Sequence, residues 1–343
     1  MLHQKIAPKT NRIILAGDIG ATKTLLAIFS FSEGQVLKVR EERFITKVCK
    51  SFEEVIRKFL HGEVPDVISL GVAGPVMDGK VNITNVGAVL NSKQISEALN
   101  HIPVYFINDL EATGYGISWL KDEELKLIFE GRKNATGNMA IIAPGTGLGE
   151  AAAYWDGHKY HPFSTEGGHC DFASRTQEDF ELHNYLKEKY THVSWERVIS
   201  GNGIINIFEF LQLKKNGIPA WLTTQLRNED AAKVISSNAK KVEICGQTMQ
   251  LFFRYLAQEA AQLALKTKAT GGLFIGGGIM PQILSLLDVD AFIQQFTDFG
   301  RLKFLLETVP VKVILNEQTA LLGAAAFGAA ALGFSFDKSQ IMT

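Results

Sequence analysis

Cysteine is scarce in this chain, with only Cys49, Cys170 and Cys245 among 343 residues. They are odd in number, far apart and form no C-x-x-C pair, which argues against a disulfide framework or a cysteine-based zinc site and fits a reducing cytoplasm. Long apolar runs are missing too. No stretch approaches the roughly 20 residues that cross a bilayer. Residues 1–9 are polar, include Pro8 and lack the apolar centre of a secretion signal, so they are expected to form a short disordered tail. Glycosylation patterns at Asn82 and Asn134 are then read as chance matches. An excess of charge is also absent. The formal net charge is -1, and the 35 basic residues are scattered rather than gathered into a stripe, which argues against nucleic acid and for a small ligand.

What is present is a globular composition, 46% hydrophobic and 21% charged, in a chain long enough for about two domains and hence for a cleft. Residues 13–16 read as a strand, Gly17-Asp18-Ile19-Gly20-Ala21-Thr22-Lys23-Thr24 as a turn and residues 25–29 as a second strand. Glycines let the backbone approach an anion, Thr22 adds a hydroxyl, and Asp18 is placed to orient a metal-bound water. The turn nearly fits a P-loop, but Thr22 stands where the second glycine belongs and a strand rather than a helix follows. A β-hairpin phosphate clamp is the better reading, with an ordinary glycine hairpin as the alternative.

Further strands are expected at 41–45, 67–72, 81–85 (an edge) and 104–107, with helices opening at Ser51 and Ser92. This mixture of hairpins and crossovers predicts a mixed sheet flanked by helices. Strand 104–107 ends at Asn108 and Asp109, where a helix starts. In open α/β sheets ligands bind at strand ends, so Asp109 is a candidate base for phosphoryl transfer to a hydroxyl; its plainer role would be an N-cap.

The strand, glycine turn, strand plan then repeats, with residues 139–143, Pro144-Gly145-Thr146-Gly147-Leu148-Gly149 and residues 150–155. Two such halves suggest related lobes gripping one nucleotide. Glu166-Gly167-Gly168-His169 sets a carboxylate and an imidazole on one glycine-hinged loop, a pairing suited to a polyhydroxylated ligand. Glu196 alone would pass for a surface charge. Helices are expected at 177–189, 204–213 and 240–268, and residues 214–228, with glycine and proline, read as a loop. Gly276-Gly277-Gly278 follows a buried strand and precedes a helix with Pro281 in its first turn, a place where a phosphate or an adenosine can approach bare backbone. An alanine-rich helix spans 318–332, and residues 334–343 read as a loose tail.

Taken together and in order, Gly17-Asp18-Ile19-Gly20-Ala21-Thr22, Asn108-Asp109, Gly145-Thr146-Gly147-Leu148-Gly149, Glu166-Gly167-Gly168-His169, Glu196-Arg197 and Gly276-Gly277-Gly278-Ile279 resemble bacterial glucokinases of the proteobacterial and cyanobacterial type. These lie in the sugar-kinase, actin and heat-shock-chaperone ATPase superfamily. The resemblance covers about residues 13–332. It implies a two-lobed, ribonuclease-H-like α/β fold, each lobe a mixed sheet flanked by helices, with the active site in the interlobe cleft. The lobes would be 1–122, joined by the C-terminal helical segment 318–343, and 123–317. It further implies a soluble cytoplasmic glucokinase that uses ATP and Mg²⁺, and is compatible with a homodimer. Asn108, Asp109, Glu166, His169 and Glu196 would hold the sugar, with Asp109 as base. Asp18, Gly20, Thr22, Gly145, Thr146, Gly147, Gly276 and Gly277 would face the nucleotide. Ala21 and Lys23 depart from the usual G-D-x-G-G-T-N turn. Lys23 is more typical of the ROK family, whose cysteine-rich zinc motif is missing after His169. A kinase for another hexose, another phosphoryl donor such as ADP or polyphosphate, or a non-catalytic sugar-sensing relative stay open as alternatives.

Overall fold

In the computed structural model, residues 11–20, 23–32, 35–46, 51–83, 88–214, 217–334 and 341–342 are described. The expected tail at 1–9, Cys49, and Ala21 and Thr22 of the first turn lie outside them. Along the chain run β1 (Asn11–Ile19), β2 (Lys23–Ser32), β3 (Gln35–Ile45), α1 (Phe52–Leu60), β4 (Val67–Val72), β5 (Lys80–Ile83), β6 (Ala88–Asn91), α2 (Ser92–Ala98), β7 (Val104–Asn108) and α3 (Asp109–Ile117). Then come β8 (Leu125–Phe129), β9 (Met139–Pro144), β10 (Leu148–Trp155), β11 (Tyr160–Thr165), α4 (Gln177–Lys189), α5 (Gly201–Leu213), α6 (Ala220–Asn228), α7 (Ala231–Ser237) and α8 (Glu243–Thr267). The last elements are β12 (Gly272–Ile275), α9 (Met280–Ile283), α10 (Val289–Thr297), α11 (Lys303–Leu306), β13 (Val311–Ile314), α12 (Thr319–Ala331) and β14 (Ile341–Met342). Contacts divide the chain into two units, residues 1–122 with 318–343, and residues 123–317.

The first unit carries a sheet in the order β14-β3-β2-β1-β4-β7. The β1/β2 and β2/β3 pairs are antiparallel, whereas β1, β4 and β7 are parallel. Every residue of β4 is buried, as a central parallel strand covered on both faces must be. α3 and α12 pack backbone to backbone within this unit: a Cβ on Gly323 would stand 1.6 Å from the Ala112 carbonyl oxygen, and one on Gly116 would stand 2.1 Å from that of Thr319. That approach is why α12 is built from alanine and glycine. One expectation needs correction: the tail is not wholly loose, because Ile341 and Met342 pair in parallel with Val36 and Leu37. The edge strand expected at 81–85 is β5, which pairs only with β6 in a separate two-stranded sheet among the described residues; residues 84 and 85 lie outside them.

The second unit repeats the plan, with the order β11-β10-β9-β12-β13-β8, an antiparallel β9/β10 hairpin, and β9, β12 and β13 parallel. α8 crosses its core, burying Phe252, Tyr255 and Leu256 completely. Residues 220–228, read from sequence as loop, are helical. Gly217-Ile218-Pro219 is punctuation, but a proline at a helix entrance leaves the following backbone free to wind, and Leu222 and Leu226 give α6 apolar contacts with the core. Cys170 is exposed, Cys245 is buried, and both are free thiols. No helix among the described residues is long and apolar enough to cross a membrane.

Candidate active site

In the first unit, β1, β4 and β7 end side by side, pairing Asp18 with Gly71 and Asn108 with Val72. The β1/β2 hairpin is closed by the Gly20 amide donating to the Lys23 carbonyl at 2.9 Å, and Thr46 Oγ1 donates to the Gly20 carbonyl at 3.0 Å. β2 is a strand antiparallel to β1, which disposes of the P-loop alternative. At the end of β7 the capping role belongs to Asn108 rather than Asp109. Asn108 Oδ1 accepts from the amides of Leu110 (2.9 Å) and Glu111 (3.3 Å), and its Nδ2 donates to the Gly74 carbonyl at 3.1 Å. Asp109 is the first residue of α3. Asp18 faces it closely enough that burial, and then the Asp109 charge, lift the Asp18 pKa from 3.8 to about 6.

That pair is the place to ask whether Mg²⁺ fits. No group of three or more His, Cys, Asp or Glu side chains among the described residues could hold a metal ion by itself. A carboxyl raised by burial and then by a second carboxylate is nonetheless a pair that a divalent cation would relieve. These residues would fit an ion held mainly by nucleotide phosphates, for which Asp18 would be the nearby protein carboxylate.

In the second unit the β9/β10 turn is the hub. The Gly145 amide donates to the Gly147 carbonyl at 2.8 Å, and the Gly201 amide at the start of α5 donates to the Gly145 carbonyl at 2.9 Å. Glu196, in a 3-10 turn at Trp195–Arg197, accepts from the Leu148 amide at 3.1 Å. A Cβ on Gly147 would meet that carboxylate at 2.4 Å. Glu166 precedes the 3-10 turn Gly167–His169, His169 ends it, and both are exposed. The turn rests on β10, where a Cβ on Gly168 would strike the Leu148 carbonyl oxygen at 2.1 Å. It is tied to the Glu196 segment by the Trp195 amide, which donates to the Cys170 carbonyl at 3.0 Å. Gly145, Thr146, Gly147, Glu166, His169 and Glu196 are thus brought around one hairpin.

Beside that hairpin opens a cleft of about 470 Å³, lined by Gly145, Thr146, Gly201, Asn202, Gly278 and Ile279, and also by Asp230, Lys233 and Ser236 from α7 and its cap. Gly278 lines it directly. Gly276 and Gly277 stand behind: Gly277 has φ +80° and would place a Cβ 2.3 Å from the Pro144 carbonyl oxygen, while the Gly276 amide donates to the Ile142 carbonyl at 2.8 Å. Sequence reasoning missed Asp230, Lys233 and Ser236. Their one local signal is the Asp230 side chain capping α7 through the Lys233 amide at 3.2 Å.

With this geometry in place, the glucokinase family model matches residues 15–331. The chain belongs to the glucokinase family. A glucokinase of Nostoc punctiforme is 35% identical over 333 residues, covering 91% of this chain and 98% of that one. The crystal structure of a glucokinase from an Antarctic psychrotroph superimposes with a TM-score of 0.79 at 28% identity, covering 93% of this chain and 99% of that one. A ROK family glucokinase from Streptomyces griseus, solved in complex with glucose and AMPPNP, has a TM-score of 0.61 at 18% identity, covering 93% of this chain and 99% of that one, and shares the fold. Family membership accords with the actin-like α/β architecture that the motifs implied, each unit having its own mixed sheet and glycine hairpin.

Proposed function

We propose that this glucokinase-family protein transfers the γ-phosphoryl group of ATP to the 6-hydroxyl of glucose, giving glucose 6-phosphate and ADP in the cytoplasm. The observation that carries this reading is the set of two glycine hairpins, each next to carboxylates at strand ends, with an open cleft beside the second. Asp109 accepts the proton of the attacking hydroxyl, and Asn108 already caps α3, so the Asp109 carboxylate is not required for that task. Asn108, Glu166, His169 and Glu196 hold the sugar; the neutral and charged acceptors suit hydroxyl donors, and His169 can do either. Gly20, Thr22, Gly145, Thr146 and Gly147 present backbone and hydroxyl groups to the phosphates, while Gly276 and Gly277 set the turn that brings Gly278 to the cleft wall. Asp18 would be the protein carboxylate nearest a Mg²⁺ ion carried on the nucleotide, which would supply neutralisation of charge on the transferring group. Fixed amides in the hairpins add stabilisation where that charge develops.

The test is a coupled assay of the purified protein with ATP and Mg²⁺ across glucose, mannose, fructose and N-acetylglucosamine. Glucose is expected to be phosphorylated best. Absence of glucose phosphorylation would overturn the reading.

A further inference from the structure

Below the Gly167–His169 turn lie two acids that the proposed chemistry does not use. Glu150 on β10 is 2% exposed, and Glu259 on α8 is completely buried. Neither Glu150 carboxyl oxygen has a donor partner among the described residues; the group facing it is the Glu259 carboxyl. Glu259 itself accepts from Gln262 Nε2 at 3.0 Å and Lys266 Nζ at 3.3 Å. Two ionised carboxylates offer only acceptors, so their contact is satisfied when one of them carries a proton. Burial raises both pKa values, with the Glu150 charge adding to the effect at Glu259 and Lys266 opposing it at both.

The pair is joined to the turn above it. A Cβ on Gly167 would stand 2.0 Å from Glu150 Oε2, so the carboxyl lies directly under bare backbone. Thr165 Oγ1 donates to the Glu150 carbonyl at 3.0 Å and accepts from the Gly167 amide at 3.2 Å. The pair therefore meets a glycine backbone from the turn and the Lys266 ammonium from α8, the Thr165 hydroxyl being spent on the Glu150 backbone carbonyl; Glu166 and His169 above it are exposed.

We propose that Glu150 and Glu259 share one proton and form the seat of the Glu166–His169 turn, which makes Glu150 a positioning residue for the sugar. This rests on the reading of that turn as part of the sugar site. Loss of the shared proton leaves two charges beneath Gly167 with only Lys266 to balance them. The turn must then shift to admit water or a cation, and glucose affinity falls while nucleotide affinity holds.

The test is the pH dependence of KM for glucose and for ATP in the full chain. In the wild type, KM for glucose should climb above neutrality, by up to about tenfold per pH unit for a single required proton, and KM for ATP should not follow. Glu150→Gln places an amide donor against the Glu259 carboxylate and removes the titration, so it should keep the wild-type KM at pH near 6 and give a flat profile; Glu259→Gln should flatten it likewise if the first variant folds poorly. Glu150→Ala should raise KM for glucose at every pH. A Glu150→Gln profile as steep as the wild type, or a parallel rise in KM for ATP, overturns the proposal. If Glu166→Ala and His169→Ala leave KM for glucose unchanged, the sugar-turn reading has failed instead. The shared proton is then read by infrared difference spectra, in which a carboxylic-acid carbonyl band present in the wild type near neutral pH and lost in both Gln variants supports it, and no such band in the wild type overturns it.

Discussion

Replacing Asp18 by Asn separates the electrostatics of the first unit from its packing. Asp18 sits on β1 within reach of the Asp109 charge, and burial followed by that charge raises its pKa from 3.8 to about 6. A carboxyl raised on folding binds more protons folded than unfolded between those two values, so its effect on stability is harmless below the lower one. The cost grows as pH rises and is complete above about 6. The displacement corresponds to about 3 kcal/mol at most, less after allowance for the water that reaches a half-buried group. Asp18→Asn keeps the shape and removes the charge. At pH 8 it should therefore raise the free energy of unfolding of the ligand-free protein by about 1–3 kcal/mol, and at pH 4 by almost nothing. Urea unfolding at the two pH values measures this directly. The same variant should lose turnover, because Asp18 is the protein carboxylate expected near the Mg²⁺ of the nucleotide. A stability gain equal at both pH values, or a loss at pH 8, would refute the reasoning.

Two further substitutions bear on the second unit. Glu166→Ala or His169→Ala should weaken glucose binding in a calorimetric titration and leave nucleotide binding largely unchanged; equal loss of both would make the turn structural. Gly277→Ala meets two obstacles, a φ of +80° and the Pro144 carbonyl oxygen at 2.3 Å from the new Cβ. It should cost about 1–3 kcal/mol in urea unfolding and weaken ATP binding through the displaced Gly278 wall, and an unchanged unfolding midpoint would contradict that account.

How much of this was legible in the sequence varied with burial. β4 and β9 are buried at every residue, and such strands read as near-continuous apolar runs, with Ser69 the one polar residue in β4. β8 and β11 sit at opposite ends of their sheet. Leu127 and Phe163 on them are nearly half exposed, and Pro162 interrupts the second, so their patterns carried no strand signal. Capped helices announced themselves, as at Ser51, which accepts from the Glu54 amide, and at Thr176, with its reciprocal bond to Asp179. α6 did not, since a glycine and a proline precede it. At the site, the Asn108-Asp109 junction was visible but not the division of labour within it, because either residue can cap a helix. Glu150 and Glu259 gave no local sign: Glu150 is the one charged residue of β10 and Glu259 is one of several polar residues along α8, and only the packing of α8 against the sheet makes them a pair. Asp230 and Lys233 carried only the cap signal of Asp230, and it is the fold that brings them to the cleft.

The most direct test of the account is Asp109→Asn, measured for turnover and for glucose affinity in the same preparation. Asn108 supplies the α3 cap, and the Asp109 Oδ1 that accepts from the Leu110 amide at 2.9 Å has a counterpart in asparagine, so folding and sugar binding should survive. The amide cannot take the proton of the 6-hydroxyl. Turnover should then fall by about 10²- to 10⁴-fold with glucose affinity unchanged. A variant that keeps more than about a tenth of the wild-type rate, or that loses glucose affinity in step with its rate, would contradict the assignment of Asp109 as the base.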